Sequence, residues 1–437
     1  MNKKILGLLC GTMCCFTLMA QTSDSPSELH LSLAEARDYA LENNRTLQNS
    51  DLSVRQAYAA RWQTIAQMLP QADMSLGLNY TNGTMKFALM DGVPPTEKKM
   101  ENTAGSLSVS ASIAINGQLI MGALINNTAI EMQNINKRNT ELDVVSNVET
   151  YYITALAMEK TVDLLNKSLT DLEKLQEITD NSVSAGAAEQ TSADQIKVQV
   201  ASMRSAINST NRSLEMIYNA LALQLAVGAD VKLVLTDQLD NVLNVEEALK
   251  LLSADFDLNN NYNYQLAEQN VKMAKQNVIM AGMAYIPTLS AFYQYTSPNK
   301  YFSGSSPMEQ QVGVVGLQLS IPLWSTGKRA AGITEKKLAR QAAENSLADA
   351  RDGLLVQHKQ LRYNLSSAYE DFDTQKMNID VSQRVFESTS NKFEYGHASS
   401  LELTNASMTL LTAQSDYIQS ILNLVNAQIE LKKLLNK

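Results

Sequence analysis

The chain has 437 residues, 45% of them hydrophobic and only 6% aromatic, with a formal net charge of −9. That length allows two or three ordinary domains, and an acidic chain with no basic stripe is no nucleic-acid binder. Its three cysteines, Cys10, Cys14 and Cys15, all fall in the first twenty residues, so the chain beyond them has no disulfide or thiolate metal site.

The N-terminus (1–20) reads as a secretory signal peptide. Lys3 and Lys4 precede ILGLLCGTMCCFTLMA, and the small Ala20 stands before Gln21; charged start, short apolar core and small residue at the cut are its marks. An uncleaved signal anchor is the competing reading, opposed by the polar character of residues 21–29. None of the cysteines lies in a convincing lipoprotein cleavage box, so lipidation is disfavoured but open. Beyond residue 20 no run approaches the ~18 apolar residues expected of a membrane-spanning helix.

The first half begins with an amphipathic start, LSLAEARDYALENN (31–44), and a helix that ends at Pro70. A strand over 72–81 follows, in which Met74, Leu76, Leu78 and Tyr80 alternate with Asp73, Ser75, Gly77 and Asn79. SLSVSASIAI (106–115) is a second strand with one apolar and one hydroxyl-lined face. Then the chain breakers vanish: no proline lies between 96 and 286, and between 123 and 281 only Gly186 and Gly228 occur. A helix over about 118–184 would be ~100 Å long. It reaches a glycine-centred turn, VSAGAAE (183–189), and a second long helix returns. Leu165, Leu169 and Leu172, then Met203, Ile207, Leu214, Ile217 and Leu221, keep coiled-coil spacing.

The second half repeats that order. LNVEEALKLLSADFDLNN (243–260) precedes a helix ending at Pro287. In a strand over 288–296, Leu289, Ala291, Tyr293 and Tyr295 share one face while Phe292 breaks the other; in one over 313–323, Val315, Leu317, Leu319 and Ile321 alternate with Gly316, Gln318 and Ser320. A helix over about 328–394, with Leu347, Leu354, Leu361, Leu365, Ala368 and Phe372 in coiled-coil steps, reaches the turn FEYGHASS (393–400) and returns. The unit recurs at an offset of roughly 210–217 residues, which predicts an internal duplication, 21–240 and 241–437.

Strands of ~10 residues with one apolar and one small polar face suit a transmembrane β-barrel. They also suit a soluble sheet packed on helices. The export signal, the aromatics near strand ends (Tyr80, Tyr295, Tyr301, Phe302, Trp324) and the polar loops at 82–104 and 297–310 favour the barrel. A sheet in a bilayer must close, and barrels begin at about eight strands, so four strands require a barrel shared by a dimer, trimer or tetramer.

The strand openings LPQ (69–71) and IPT (286–288), the junctions ING (115–117) and IPLWSTG (321–327), and the doubled element order resemble the outer-membrane efflux proteins, the TolC-like family. The first junction departs from the pattern in lacking the proline of IPLW. The resemblance implies a mainly α fold with a small β part: a homotrimer forming a twelve-stranded β-barrel on a twelve-helix α-barrel of long coiled-coil hairpins. It implies a passive exit duct in outer-membrane lipid with a long periplasmic part, served by a periplasmic adaptor and an inner-membrane pump of RND or ABC type. No cofactor is implied.

In the family the hairpin tips dock the adaptor, which points to Ser184, Ala185, Gly186 and Ala187 in the first turn and Tyr395, Gly396 and His397 in the second. A lumen constriction past the second glycine would use Glu402 and Asn405; Ser192 and Gln195 are the first-hairpin equivalents, with Asp194 nearby. Threefold symmetry would turn Glu402 into a carboxylate ring that favours cations; a solvated outer-face glutamate is the alternative. An arginine that locks the gate in some members corresponds to Ala398.

Catalysis finds no support. His30, His358 and His397 are scattered, no GxSxG elbow occurs, and TGKR (326–329) lacks the glycine and Ser/Thr of a phosphate loop. A soluble periplasmic coiled-coil adaptor or structural protein is the runner-up, yet an adaptor would carry one hairpin flanked by glycine-rich β domains. An exported enzyme is a third class. The exported substrate is not written in the chain.

Overall fold

The computed structural model describes residues 28–87, 96–186, 188–228, 230–243, 245–299 and 312–436. The expected signal peptide at 1–20, Ala187, Tyr301 and Phe302 lie outside them. The fold is mainly helical, with a small sheet at one end of two long helical hairpins.

In chain order, β1 (Glu28–Leu31) leads to α1 (Leu33–Asn43) and α2 (Arg45–Ala66), then to β2 (Gln71–Phe87) and β3 (Thr96–Ile115). The first hairpin is α3 (Gly117–Ser184) and α4 (Gln190–Leu225). A connecting region follows: β4 (Lys232–Leu235), α5 (Leu239–Val242) and α6 (Val245–Leu252). Next come α7 (Tyr262–Gly282), β5 (Thr288–Asn299) and β6 (Val312–Ser320), and a second hairpin of α8 (Lys328–Glu394) and α9 (Ser400–Leu434). With 68 and 67 residues, α3 and α8 are each ~100 Å long.

The helix starts are written in single residues. Ser32 and Glu35 form a capping box on α1, and Asn116 caps α3 by accepting from the Leu119 N–H. Asn44 and Asn261 each perform two tasks. The Asn44 side-chain oxygen accepts from the N–H groups of Thr46 and Leu47 at the start of α2, while its Nδ2 donates to the Gln224 carbonyl at the end of α4 (2.7 Å). Asn261 accepts from Asn263 and Tyr264 at the start of α7 and donates to the Leu434 carbonyl at the end of α9 (3.0 Å). Each asparagine thus ties the helix entering the sheet to the helix leaving the tip.

Two apolar clusters hold the rods together. The larger joins α1, α3, α4, α8 and α9 to the β1–β4 pair, and includes Val148, Tyr152, Leu221, Leu225, Leu365, Ile421, Leu424 and Leu431. There β1 runs parallel to β4, Leu31 opposite Leu235. The fully buried Tyr152 hydroxyl lies 2.9 Å from both the Leu31 carbonyl and Asp237 Oδ2, and that carboxylate also accepts from the Leu33 N–H (2.7 Å). Burial, then the Asp237 carboxylate, push the Tyr152 hydroxyl well above the usual phenol range. The smaller cluster lies toward the tips: Leu165, Leu172, Leu175, Ile196, Val200, Met203, Ile207, Phe386, Leu403, Ala406 and Leu410. Several coiled-coil positions read from the sequence fall in these two clusters, among them Leu165, Leu172, Leu354, Leu361, Leu365 and Phe372.

The sheet is fully antiparallel in the order β2-β3-β5-β6. β2 and β3 run beyond the expected 72–81 and 106–115, because their ladder continues to Phe87 opposite Thr96. Much of the expected 82–104 loop is therefore strand, held by backbone pairing rather than side-chain period. β6 stops at Ser320, short of the expected 323, since Pro322 has no N–H to give a ladder.

Candidate functional site

Two parts of the molecule can bear a conduit function: the faces of the sheet and the hairpin tips. Cross-strand partners share a face of a sheet, so the register sorts every side chain. One face carries Leu76, Leu107, Met74, Val109, Tyr295, Tyr293, Val315, Ala291 and Leu317, row upon row. This face lies open: Val315 and Leu317 are each 80% exposed, and Met74, Leu76, Leu78 and Leu319 are also exposed. A contiguous apolar surface of this kind is not left facing water.

The opposite face carries Ser75, Ser106, Ser108, Ser110, Ser112, Gln294, Thr296, Ser290 and Gln318, with Asp73 beside Ser110. Ser108 and Thr296 hydroxyls lie 3.3 Å apart. Phe292, the residue that broke the alternation, sits over Gly316. A Cβ added at Gly316 would fall 2.5 Å from the Phe292 ring, so glycine is what lets an aromatic lie flat on a hydroxyl-lined wall. The outer edges of β2 and β6 pair with no described strand.

At the far end, both tips reverse through a glycine with positive φ, Gly186 at 74° and Gly396 at 73°, with open space around each. Ser184, Ala185 and Gly186 are exposed on the first tip, and Tyr395 (76%), Gly396 and His397 on the second. Ala187 cannot be placed, being outside the described residues. The returning helices start differently. Ser399 and Glu402 form a capping box on α9: the Ser399 N–H donates to Glu402 Oε2 (2.8 Å), and the Glu402 N–H donates to Ser399 Oγ (3.2 Å). On α4, Glu189 holds the cap position without a side-chain bond. The Glu402 carboxylate is therefore exposed but already engaged by its own helix end.

Ser400 joins the tips, its Oγ 3.0 Å from Ser192 Oγ and 3.2 Å from Gln195 Oε1. Asp194, Gln195 and Val198 of α4 line a shallow groove of about 410 Å³ with Thr404 of α9. Glu402 and Asn405 do not line that groove, although both are exposed. Ion pairs brace the first hairpin behind its tip, Lys197 with Asp180 (3.1 Å) and Arg204 with Glu173 (2.7 Å). Sequence reasoning missed Ser400. Its signal was the hydroxyl-rich run ASSLE after the glycine, which capping alone does not use up. Among the described residues no cluster of His, Cys, Asp and Glu is placed to hold a metal ion, and no helix is long and apolar enough to cross a membrane.

The profile of the outer membrane efflux protein family matches residues 36–228 and 257–437. No curated protein sequence matches the chain. Several solved structures share the fold. CusC, studied for transmembrane channel formation, aligns over 92% of both chains at 16% identity and a TM-score of 0.72. The Campylobacter jejuni CmeC outer membrane channel aligns over 92% of this chain and 85% of its own, at 16% identity and a TM-score of 0.70. The Vibrio cholerae outer membrane protein VceC aligns over 92% and 95%, at 17% identity and a TM-score of 0.70. At such identities the likeness is one of fold.

Proposed function

The chain belongs to the outer membrane efflux protein family, and on that premise we propose that it is the passive exit duct of a tripartite efflux or type I secretion system. The observation that carries the proposal is the sheet: four antiparallel strands, apolar on one face, hydroxyl-lined on the other, with two outer edges that pair with no described strand. Lipid suits the first face and water the second. Unpaired edges in a bilayer cost several kcal/mol per exposed group, so the β2 edge of one copy pairs with the β6 edge of the next. Three copies give a twelve-stranded barrel, and α3, α4, α8 and α9 of each continue it as a helical tunnel through the periplasm. Residues 21–240 and 241–437 are the two arms of a duplication; the matched roles of Asn44 and Asn261 support it.

The energy for transport comes from an inner-membrane pump of RND or ABC type, reached through a periplasmic adaptor. The tips suit adaptor docking because Ser184, Ala185, Gly186, Tyr395, Gly396 and His397 project from the rod ends. Glu402, Asn405 and Asp194 lie within two helical turns of the tips, where a threefold constriction would form. A soluble adaptor is not favoured, since the family match spans both hairpins.

The deciding experiment is the detergent-corrected mass of protein extracted from outer membranes, by light scattering on a sizing column. Three protomers are expected. A monomer that stays in solution without detergent would overturn the duct.

A further inference from the structure

We propose that the open edge of β4 is a docking site for an extended segment of a partner protein that carries lysine or arginine and adds to the β1–β4 pair as a third strand. The inference goes beyond the duct and does not depend on it, because the site lies within a single chain. A groove of about 610 Å³ runs along that edge. Residues 231–235 form one wall, Leu214, Glu215, Tyr218 and Ala222 of α4 form the other, and Glu159 of α3 lies between hairpin and strand. The walls match in length. Residues 211–222 span ~17 Å of helix, and residues 231–235 span ~13 Å of strand, which leaves room for about five extended residues.

What the edge offers is backbone. Successive residues of a strand turn their N–H and C=O groups to opposite edges. The Thr236 N–H donates to the Leu31 carbonyl (3.1 Å), so Val234 and Lys232 also face β1. Leu233 and Leu235 then turn their N–H and C=O groups toward the groove. Among the described residues β4 pairs with β1 alone. β4 reads KLVL, without proline, so each outward N–H is free to donate to an added strand.

Charge names the occupant. Glu159 and Glu215 both line the groove, and the cation among its lining residues, Lys232, is already paired with Glu28 (2.9 Å). The Tyr218 hydroxyl donates to Glu159 Oε1 (2.5 Å) and holds that carboxylate in place. Burial, then the Glu159 charge, keep the hydroxyl protonated, well above the usual phenol range. No cation of the described residues pairs with Glu159 or Glu215. The backbone edge calls for an extended chain, and the two carboxylates call for cationic side chains upon it. The segment that precedes β1, QTSDSPS (21–27), carries an acid, a proline and no cation, so it does not suit the groove.

The probe is a fluorescein-labelled peptide of alternating lysine and valine with blocked ends, titrated by anisotropy into the detergent-solubilised full chain. A strand added at an edge uses the N–H groups of alternate residues only. N-methylation of one alternate set should therefore weaken binding about tenfold or more, while methylation of the other set leaves it unchanged. Glu159→Gln should weaken binding about tenfold. Glu215→Gln, at the exposed rim where no folding defect is expected, should weaken it about threefold. Hydrogen exchange at Leu233 and Leu235 should slow when the peptide binds. Equal affinity of the two methylated peptides would reduce the contact to adsorption by charge and overturn the third strand. Binding that survives both glutamate changes would overturn the choice of a basic segment. No binding at all would mean that a second copy covers the edge or that nothing docks there, and it overturns the site. The exit duct stands or falls separately, on the mass from light scattering.

Discussion

The paired asparagines show how much one side chain can decide. Asn44 is nearly fully buried, caps α2 and donates to the last turn of α4. Asn44→Ser keeps the cap oxygen but strands the Gln224 carbonyl, costing about 1–2 kcal/mol; Asn44→Ala also loses the cap, about 1 kcal/mol more. Thermal unfolding of the solubilised protein should rank wild type above Asn44→Ser and Asn44→Ala lowest, and equal midpoints for the two variants would refute the double role. His358 carries a pH dependence. Its ring stacks on Phe256 with centroids 4.9 Å apart, and its buried Nε2 makes no hydrogen bond. Burial, then the charge of Arg362, hold its pKa below the ordinary 6.5. A folded-state pKa lowered for a base means the unfolded chain takes up the proton first. The contribution to stability is thus complete above about pH 6.5 and lost as pH falls from there through the folded-state value. Hydrogen-exchange protection of residues 253–258, taken relative to the intrinsic rate at each pH, should fall over that window in the wild type and stay flat in His358→Phe, which keeps the stack.

At the scale of elements, the strand faces were legible because period 2 writes burial directly into the sequence, and the long helices because proline is absent from them and glycine is confined to their first halves. α8 begins and ends at the residues expected, Lys328 and Glu394. What was hidden has physical reasons. β1 and β4 are four residues each and pair across two hundred residues, a length at which alternation carries no signal. The polar ends of β2 and β3 are fixed by backbone ladders that any side chain permits. The tips were legible from their glycines, but not the state of Glu402, since a capping box and a lumen carboxylate use the same residue. Glu402→Gln separates them, because glutamine serves in a capping box while the charge is gone. If the carboxylate lines the constriction, Glu402→Gln lowers cation selectivity in planar bilayers and leaves the tip helix intact by hydrogen exchange. If the residue is only a cap, Glu402→Gln matches the wild type, and Glu402→Ala frays the start of α9 at a cost of about 1 kcal/mol.

At the scale of the molecule, the proposed duct depends on closing edges that one chain cannot close. Within a protomer β2 and β6 are separated by β3 and β5, which is ~14 Å across three strand spacings. A disulfide needs Cα atoms within about 7 Å, so no bond between a cysteine in β2 and one in β6 can form inside the chain. Because every native cysteine lies in residues 1–20, engineered pairs face no competition once that segment is removed. Ser75→Cys combined in turn with Val314→Cys, Gln318→Cys or Ser320→Cys samples the unknown register on the water-side face. A closed ring of three predicts that at least one pair, oxidised in the membrane, yields covalent trimers on a denaturing non-reducing gel and nothing larger. An open filament would instead give a ladder beyond three. Monomers from every pair would mean that the β2 and β6 edges never meet, and the shared barrel would have to be abandoned.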